Sequence, residues 1–313
     1  MHNILHITNE ITKKNFSISS LINFIAINGK NSNNINSKIL CSEIDESSII
    51  KKKYLIVNKI QWLSFYKFKK IFFDEFNKYD LIHVHGIWAP IQIFSIIFSI
   101  ISSKKITIHS HGMLLYPAIN NGGFFKKVFK NIFIIFLRIL TSNSNSLNFI
   151  AITKEEYRTI KSLLPNSSIQ LIPNNIPFKN FFNKKEVFNY EKKFVFFGRI
   201  HPHKNILLLI DIFIKSNLMN DGWLLEIYGI KDDENYLNKI KSKTINYPNI
   251  VILNPVFGKK KASIIRKAWA NILISKSEVL SFSVLESGIY GLSSIVTKNI
   301  ETLKDDKISN KVK

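Results

Sequence analysis

Short apolar runs alternate with helix-length segments along nearly the whole chain, and this alternation does most to restrict the fold. The runs Asn3–Ile7, Lys38–Cys41, Leu55–Val57, Leu81–Val84, Ile106–Ile108, Phe149–Ile152 and Ile169–Ile172 have the length of buried strands. Helical segments near 17–27, 64–77, 90–101, 124–140 and 154–164 lie between most of them. Such βα order implies a parallel, right-handed, doubly wound sheet, because a crossover helix is needed to return the chain to a parallel strand. The polar stretch from Pro173 to Lys192 reads as the linker, and the pattern then resumes. Strands are expected at 194–197, 224–228, 250–253, 271–275 and 294–297, with helices near 205–216, 233–243, 259–268 and 282–290. The expectation is two Rossmann-like domains, 1–172 and 193–313, joined by 173–192, and 313 residues suffice for two cores. The Asn-rich stretch Asn28–Asn36 reads as a surface loop.

A single cysteine, Cys41, excludes a disulfide framework and fits a reducing compartment. The N-terminus reads as a first buried strand and not as a signal peptide. The apolar runs Ile91–Ile101 and Ile132–Leu140 fall short of the roughly 18 to 20 residues that cross a bilayer. In the second, Lys126, Lys127, Lys130 and Arg138 are interleaved with Phe and Ile, as in helices lying on anionic membrane surfaces. An ordinary core-facing helix with a basic outer edge has the same pattern. A net charge of +22 suits nucleic acid, anionic lipid or a nucleotide substrate, although the Ile, Asn, Lys and Phe bias of an AT-rich gene also raises the lysine count. The lysines are scattered, and no zinc-finger spacing or aromatic RNA-binding signature is present, so a nucleic-acid partner is not expected.

Two segments of the second half carry the chemistry. In the first, the strand Phe194–Phe197 runs into Gly198-Arg199, and Lys204 is expected to open a helix. Glycine lets the backbone turn sharply, and Arg with Lys at a helix N-terminus makes a phosphate or diphosphate site. In the second, a buried strand Ala270–Ser275 precedes Glu278 in a loop, and a helix Phe282–Tyr290 carries Glu286 near its first turn. Both carboxylates are expected to face the crevice at the carboxyl ends of the strands, where open α/β sheets bind ligands.

Together these segments resemble the retaining glycosyltransferases of family 4, which have the GT-B fold. That family carries G-R-x4-K before Glu-x7-Glu, and here Gly198, Arg199 and Lys204 match the first and Glu278 and Glu286 the second. Gly291 matches the glycine of the G-x-P-V turn that follows. The resemblance extends to the first half. Tyr79 to Gly86 is similar to the family's D-x-x-H-x-H-G strand end, and Ser110 to Leu114 to its H-G-M-L loop. Lys126-Lys127, Ile150 to Thr153 with Glu155-Glu156, and Ile172-Pro173-Asn174-Asn175-Ile176 follow in the family's order.

The resemblance implies two domains facing across a cleft and a sugar moved from a UDP- or GDP-linked donor to a polysaccharide or lipid-linked oligosaccharide, with retained configuration. It implies no metal and no other cofactor. Arg199 and Lys204 would balance the leaving diphosphate, Glu286 would take the ribose hydroxyls, and Glu278 would serve the donor sugar. A hydrolytic carboxylate pair would leave the diphosphate-binding residues without a role. The family also implies work at the cytoplasmic face of the membrane, on surface polysaccharide or lipopolysaccharide.

The pairs His83/His85, His109/His111 and His201/His203 suggest zinc, since alternation puts both members on one face. No Cys or Asp/Glu ligand accompanies them, so no metal site is expected. His111 is instead expected to hydrogen-bond the departing phosphate or a sugar hydroxyl. Val279, Ser287 and Ser293 stand where the family usually has Gly, Ala and Pro. The family continues beyond the G-x-P-V segment, so an incomplete second domain is expected. A degenerate or fragmentary relative that binds nucleotide, membrane or a partner without turnover is the alternative.

Overall fold

The computed structural model describes residues 2–12, 15–33, 35–45, 54–56, 72–73, 75–143, 147–174, 190–276 and 278–298. The chain divides into two compact units, Met1–Pro177 and Phe178–Lys313. The linker expected at 173–192 lies largely outside the described residues, as does most of the helix expected at 64–77.

In the first unit the described strands are β1 (His2–Ile11), β2 (Ile35–Ile44), β3 (Tyr54–Ile56), β4 (Leu81–His85), β5 (Ile106–His109), β6 (Leu147–Ala151) and β7 (Ser168–Leu171). They form one parallel sheet in the order β3-β2-β1-β4-β5-β6-β7. The helices are α1 (Phe16–Asn33), α2 (Pro90–Ile101), a short α3 (Tyr116–Ile119), α4 (Phe124–Asn143) and α5 (Lys154–Leu163). Leu5, Ile7, Ile82, Val84, Ile106, Ile108 and Phe149 form the sheet's part of the main core, and Ile22 and Ala26 of α1 pack against Ile39 and Cys41.

Pro90 starts α2 with its φ already helical, and Thr153 caps α5 by accepting a hydrogen bond from the Glu156 amide. The expected loop over Asn28–Asn36 is a correction. α1 continues to Asn33 and β2 begins at Ile35, the helix being anchored by buried Leu21, Ile22 and Ala26 ahead of the Asn-rich stretch.

The second unit has β8 (Lys193–Ile200), β9 (Leu224–Lys231), β10 (Ile250–Leu253), β11 (Ala270–Leu273) and β12 (Ser294–Val296) in the order β10-β9-β8-β11-β12, all parallel. Its α-helices are α6 (Ile206–Lys215), α7 (Glu234–Thr244), α8 (Gly258–Lys267) and α9 (Phe282–Ile289). One face of the sheet packs Phe196, Ile200, Leu225 and Ile227 against α6 and α7. The other packs Val195, Phe197 and Tyr228 against α8 and Tyr290.

In both units the strand order reverses beside the first strand, between β1 and β4 and between β8 and β11. Ligands of open α/β sheets bind at such a switch point, where neighbouring crossovers leave in opposite directions and open a crevice.

Candidate functional site

At the second switch point β11 pairs with β8 only through Ala270 and Asn271, so the two strands part before their carboxyl ends. β8 itself runs further than expected. Gly198 and Arg199 belong to the strand, pairing with Gly229 and Ile230, and do not turn off its end. The reason is the Gly198/Gly229 contact. A Cβ on Gly229 would sit 2.6 Å from the Gly198 carbonyl oxygen and 2.6 Å from Ile200 Cγ1.

Lys204 does not open a helix either. It ends a 3₁₀ turn, Pro202–Lys204, and Asn205 in the left-handed region (φ 54°) resets the chain into α6. This loop is tied to the end of β11. Asn205 Nδ2 donates to the Ile274 carbonyl at 3.1 Å and the Lys276 amide to the His203 carbonyl at 3.0 Å.

The tie brings Lys204 and Glu278 together in a largely buried ion pair. Gly198 lies beside it: a Cβ there would be in ordinary contact with Lys204 Cε at 3.8 Å and would crowd the Phe196 ring at 3.0 Å. Arg199 points away and contacts Asp232 at 3.3 Å, with about half of its side chain exposed (52%). Glu286 lies in the second turn of α9, not the first, and is buried against Lys261 of α8. Lys261 also lies 4.8 Å from the centre of the Phe197 ring. Side chains alternate along β8, so the Lys204–Glu278 and Lys261–Glu286 pairs flank its end from opposite faces. α9 ends in a Schellman turn, with Gly291 at φ 73° donating to Gly288 and Leu292 donating to Ser287 at 2.9 Å.

Lys261 escaped the sequence reading. Its signal was Lys259-Lys260-Lys261 in the first turn of a helix, where cations oppose the helix dipole and so need another reason.

At the first switch point His6 of β1 stands beside His83 of β4, and His85 beside His109 of β5. His85 Nε2 is 3.1 Å from His6 Nδ1, and its Nδ1 is 3.1 Å from His111 Nε2. Burial pushes the imidazoles toward neutrality, His83 to about 4 and His111 to about 3. His85 and His109 are also lowered, first by burial and then by neighbouring histidines, with the Asn174 side chain acting in the opposite direction on His109.

His111 itself adopts φ 51° in the loop after β5. That loop is fixed by Glu156, whose buried carboxylate accepts hydrogen bonds from Ser110 Oγ, from the Gly112 amide at 2.5 Å and from the Ile152 amide at 2.8 Å. Burial raises the Glu156 pKa, and these three donors oppose the rise. Gly86 is held to glycine, because at φ 90° a Cβ would meet Gln92 Nε2 at 2.4 Å. Gln92 donates from that atom to the His85 carbonyl at 2.6 Å. The pair His201/His203 lies in the second unit, where His201 Nδ1 accepts from the His203 amide.

Residues 177–307 match the family Glycosyl transferases group 1. No curated protein sequence matches the chain. Among solved structures it is similar to WaaG, a glycosyltransferase of lipopolysaccharide biosynthesis, at 10% identity and TM-score 0.70 over 98% of this chain and 84% of that one. It is similar to sucrose-phosphate synthase from Thermosynechococcus elongatus at 13% identity and TM-score 0.68, over 97% and 83%. HepE of Anabaena, solved with UDP and glucose, is similar at 12% identity and TM-score 0.68, over 97% and 83%. The α/β fold with two parallel sheets is that of GT-B glycosyltransferases.

Proposed function

We propose that the chain is a retaining glycosyltransferase that moves a sugar from a UDP- or GDP-linked donor to a polysaccharide or lipid-linked oligosaccharide. The observation that carries this reading is the Lys204–Glu278 pair beside Gly198 at the second switch point, within the segment that matches the glycosyltransferase family. Departure of a nucleoside diphosphate leaves negative charge at a fixed place, and cations already held there lower the barrier because they need no reorganisation. Lys204 is such a cation, anchored on one side by Glu278. Arg199, half exposed, is the second and exchanges Asp232 for phosphate.

Glu286 takes the ribose hydroxyls and Lys261 holds its carboxylate. Glu278 serves the donor sugar, and His111 hydrogen-bonds the departing phosphate or a sugar hydroxyl. The first unit supplies acceptor-side residues and the second the nucleotide site, with the boundary inside 173–192. No metal takes part in this scheme.

A binding screen of nucleoside diphosphates and nucleotide sugars on the full chain tests the reading. One UDP- or GDP-linked sugar should bind, and Glu286→Ala should weaken it about tenfold or more by removing hydrogen bonds made by a charged acceptor. Transfer of that sugar separates an enzyme from a degenerate binding relative. Absence of nucleotide binding in a folded chain would end the proposal.

Helix α4 favours a peripheral position on the inner face of the cell membrane. Phe124, Phe125, Ile132, Ile135 and Ile139 are all more than half exposed, beside exposed Lys126, Lys127 and Arg138. Lys130 turns inward, donating to the Ala118 and Asn121 carbonyls at 2.7 and 2.9 Å. Among the described residues no helix is long and apolar enough to cross a membrane. Apolar rings flanked by cations suit the boundary of an anionic bilayer. Co-sedimentation with anionic vesicles should fall with salt, and Lys126→Glu with Lys127→Glu should weaken it about tenfold or more, at about 1 kcal/mol per charge near the surface. Binding unchanged by either treatment would reject the membrane role.

A further inference from the structure

The histidine cluster at the first switch point has no counterpart in the scheme above beyond His111. One ring nitrogen from each of His85, His109 and His111 lies within 4.8 Å of the others, and His6, His83 and His85 make a second such group. Among the described residues these are the groupings of this kind. Neither nitrogen of His109 nor Nδ1 of His111 makes a well-formed hydrogen bond, although all are buried; the Asn174 side chain stands near His109 without reaching good geometry. Buried polar atoms of native proteins are normally paired, so the two unpaired nitrogens of His109, beside one ring nitrogen each of His85 and His111, call for a ligand.

We infer that His85, His109 and His111 form a three-imidazole site for a divalent transition-metal ion of the zinc class, with a fourth position open to water or an anion. The His85 Nδ1 to His111 Nε2 separation of 3.1 Å suits the edge of a chelate. Two nitrogens on tetrahedral zinc, each about 2.0–2.1 Å from the metal, are about 3.3 Å apart. His109 stacks on His111 with ring centroids 3.8 Å apart, so it must swing out of that stack to bring in the third nitrogen.

His6 supports the site from behind. With His85 Nδ1 on the metal, its Nε2–H donates to His6 Nδ1, which fixes both tautomer and ring orientation. The ligand set lacks thiolate and carboxylate, which suits zinc, nickel or copper over magnesium or calcium. The grouping with His6 and His83 is the lesser candidate. All three of its rings are buried, whereas His111 is partly exposed and gives an arriving ion a route. Because His85 belongs to both groups, one ion per chain is expected. His111 cannot bind metal and substrate through the same nitrogen, so the ion and the sugar donor would compete. Metal binding itself does not depend on the glycosyltransferase reading.

The test is titration of the chelator-treated full chain with Co2+, followed by displacement with Zn2+. One equivalent of Co2+ should give the visible absorption of a four-coordinate ion, and zinc should abolish it. His109→Gln, close to His in size, and His111→Gln should each weaken Co2+ binding at least tenfold. His83→Gln, and His201→Ala with His203→Ala, should leave it within about twofold. Circular dichroism confirms that each variant is folded. Absence of the spectrum in wild type, equal binding by all variants, or loss on His83→Gln with retention on His109→Gln would each overturn the assignment.

Discussion

Lys204→Ala should lower sugar transfer by about 10²–10³-fold in kcat, the range expected when one fixed group facing developing charge is removed. Its binding signature is more specific than its rate. Affinity for the nucleoside diphosphate should fall far more than affinity for the nucleoside, because the missing interaction is charge on phosphate. Lys204→Arg should recover part of both, since it keeps the charge. The truncation also strands Glu278, which is 14% exposed in its side chain, without its partner, so some stability is lost as well. Lys204→Ala combined with Glu278→Gln separates the two effects. It should regain stability without regaining diphosphate affinity. Equal losses for nucleoside and nucleoside diphosphate would mean that Lys204 supports the fold of the loop and not the leaving group.

Acid should destabilise the first unit through its histidines. In the fold His83 titrates at about 4 and His111 at about 3, and His85 and His109 also lie well below 6.5. In the unfolded chain each histidine titrates near 6.5. Folded-state values are therefore depressed, so the unfolded state binds more protons as pH falls through 6.5. Their stability contribution is present above that pH and disappears as pH drops toward the folded-state values. All four histidines act in the same direction, so stability should fall as pH drops below about 6.5. Thermal melts of chelator-treated protein between pH 7.5 and about 5 should show a steep fall. His83→Gln and His109→Gln should each flatten it. A flat profile across that window would show that the cluster is hydrated.

The local sequence determined the alternation of strands and helices, because burial on both faces of a parallel sheet makes each strand a short apolar run. It also marked Gly198, Arg199, Lys204, Glu278 and Glu286 as one set. The expected end of β8 was wrong for a reason outside its own sequence. Gly198 reads locally as a turn, but Gly229 on the neighbouring strand allows pairing to continue to Ile200. Lys204 reads as a helix start, yet the left-handed Asn205 separates it from α6 and the Lys276 amide holds the turn against the end of β11.

What the tertiary structure decided was partnership. Lys204 meets Glu278 across 74 residues, Lys261 meets Glu286 across 25, and Ser110 meets Glu156 across 46. The histidines show the same division. Each H-x-H pair was visible as two side chains on one face of a strand, but two imidazoles without an acidic or thiol neighbour gave no reason to expect a metal. Only the order β1-β4-β5 sets His6, His83, His85, His109 and His111 side by side. Side-chain alternation has a period of two and can be read within one strand. Which strands become neighbours depends on crossovers that close over long stretches of chain, and no local pattern encodes that choice.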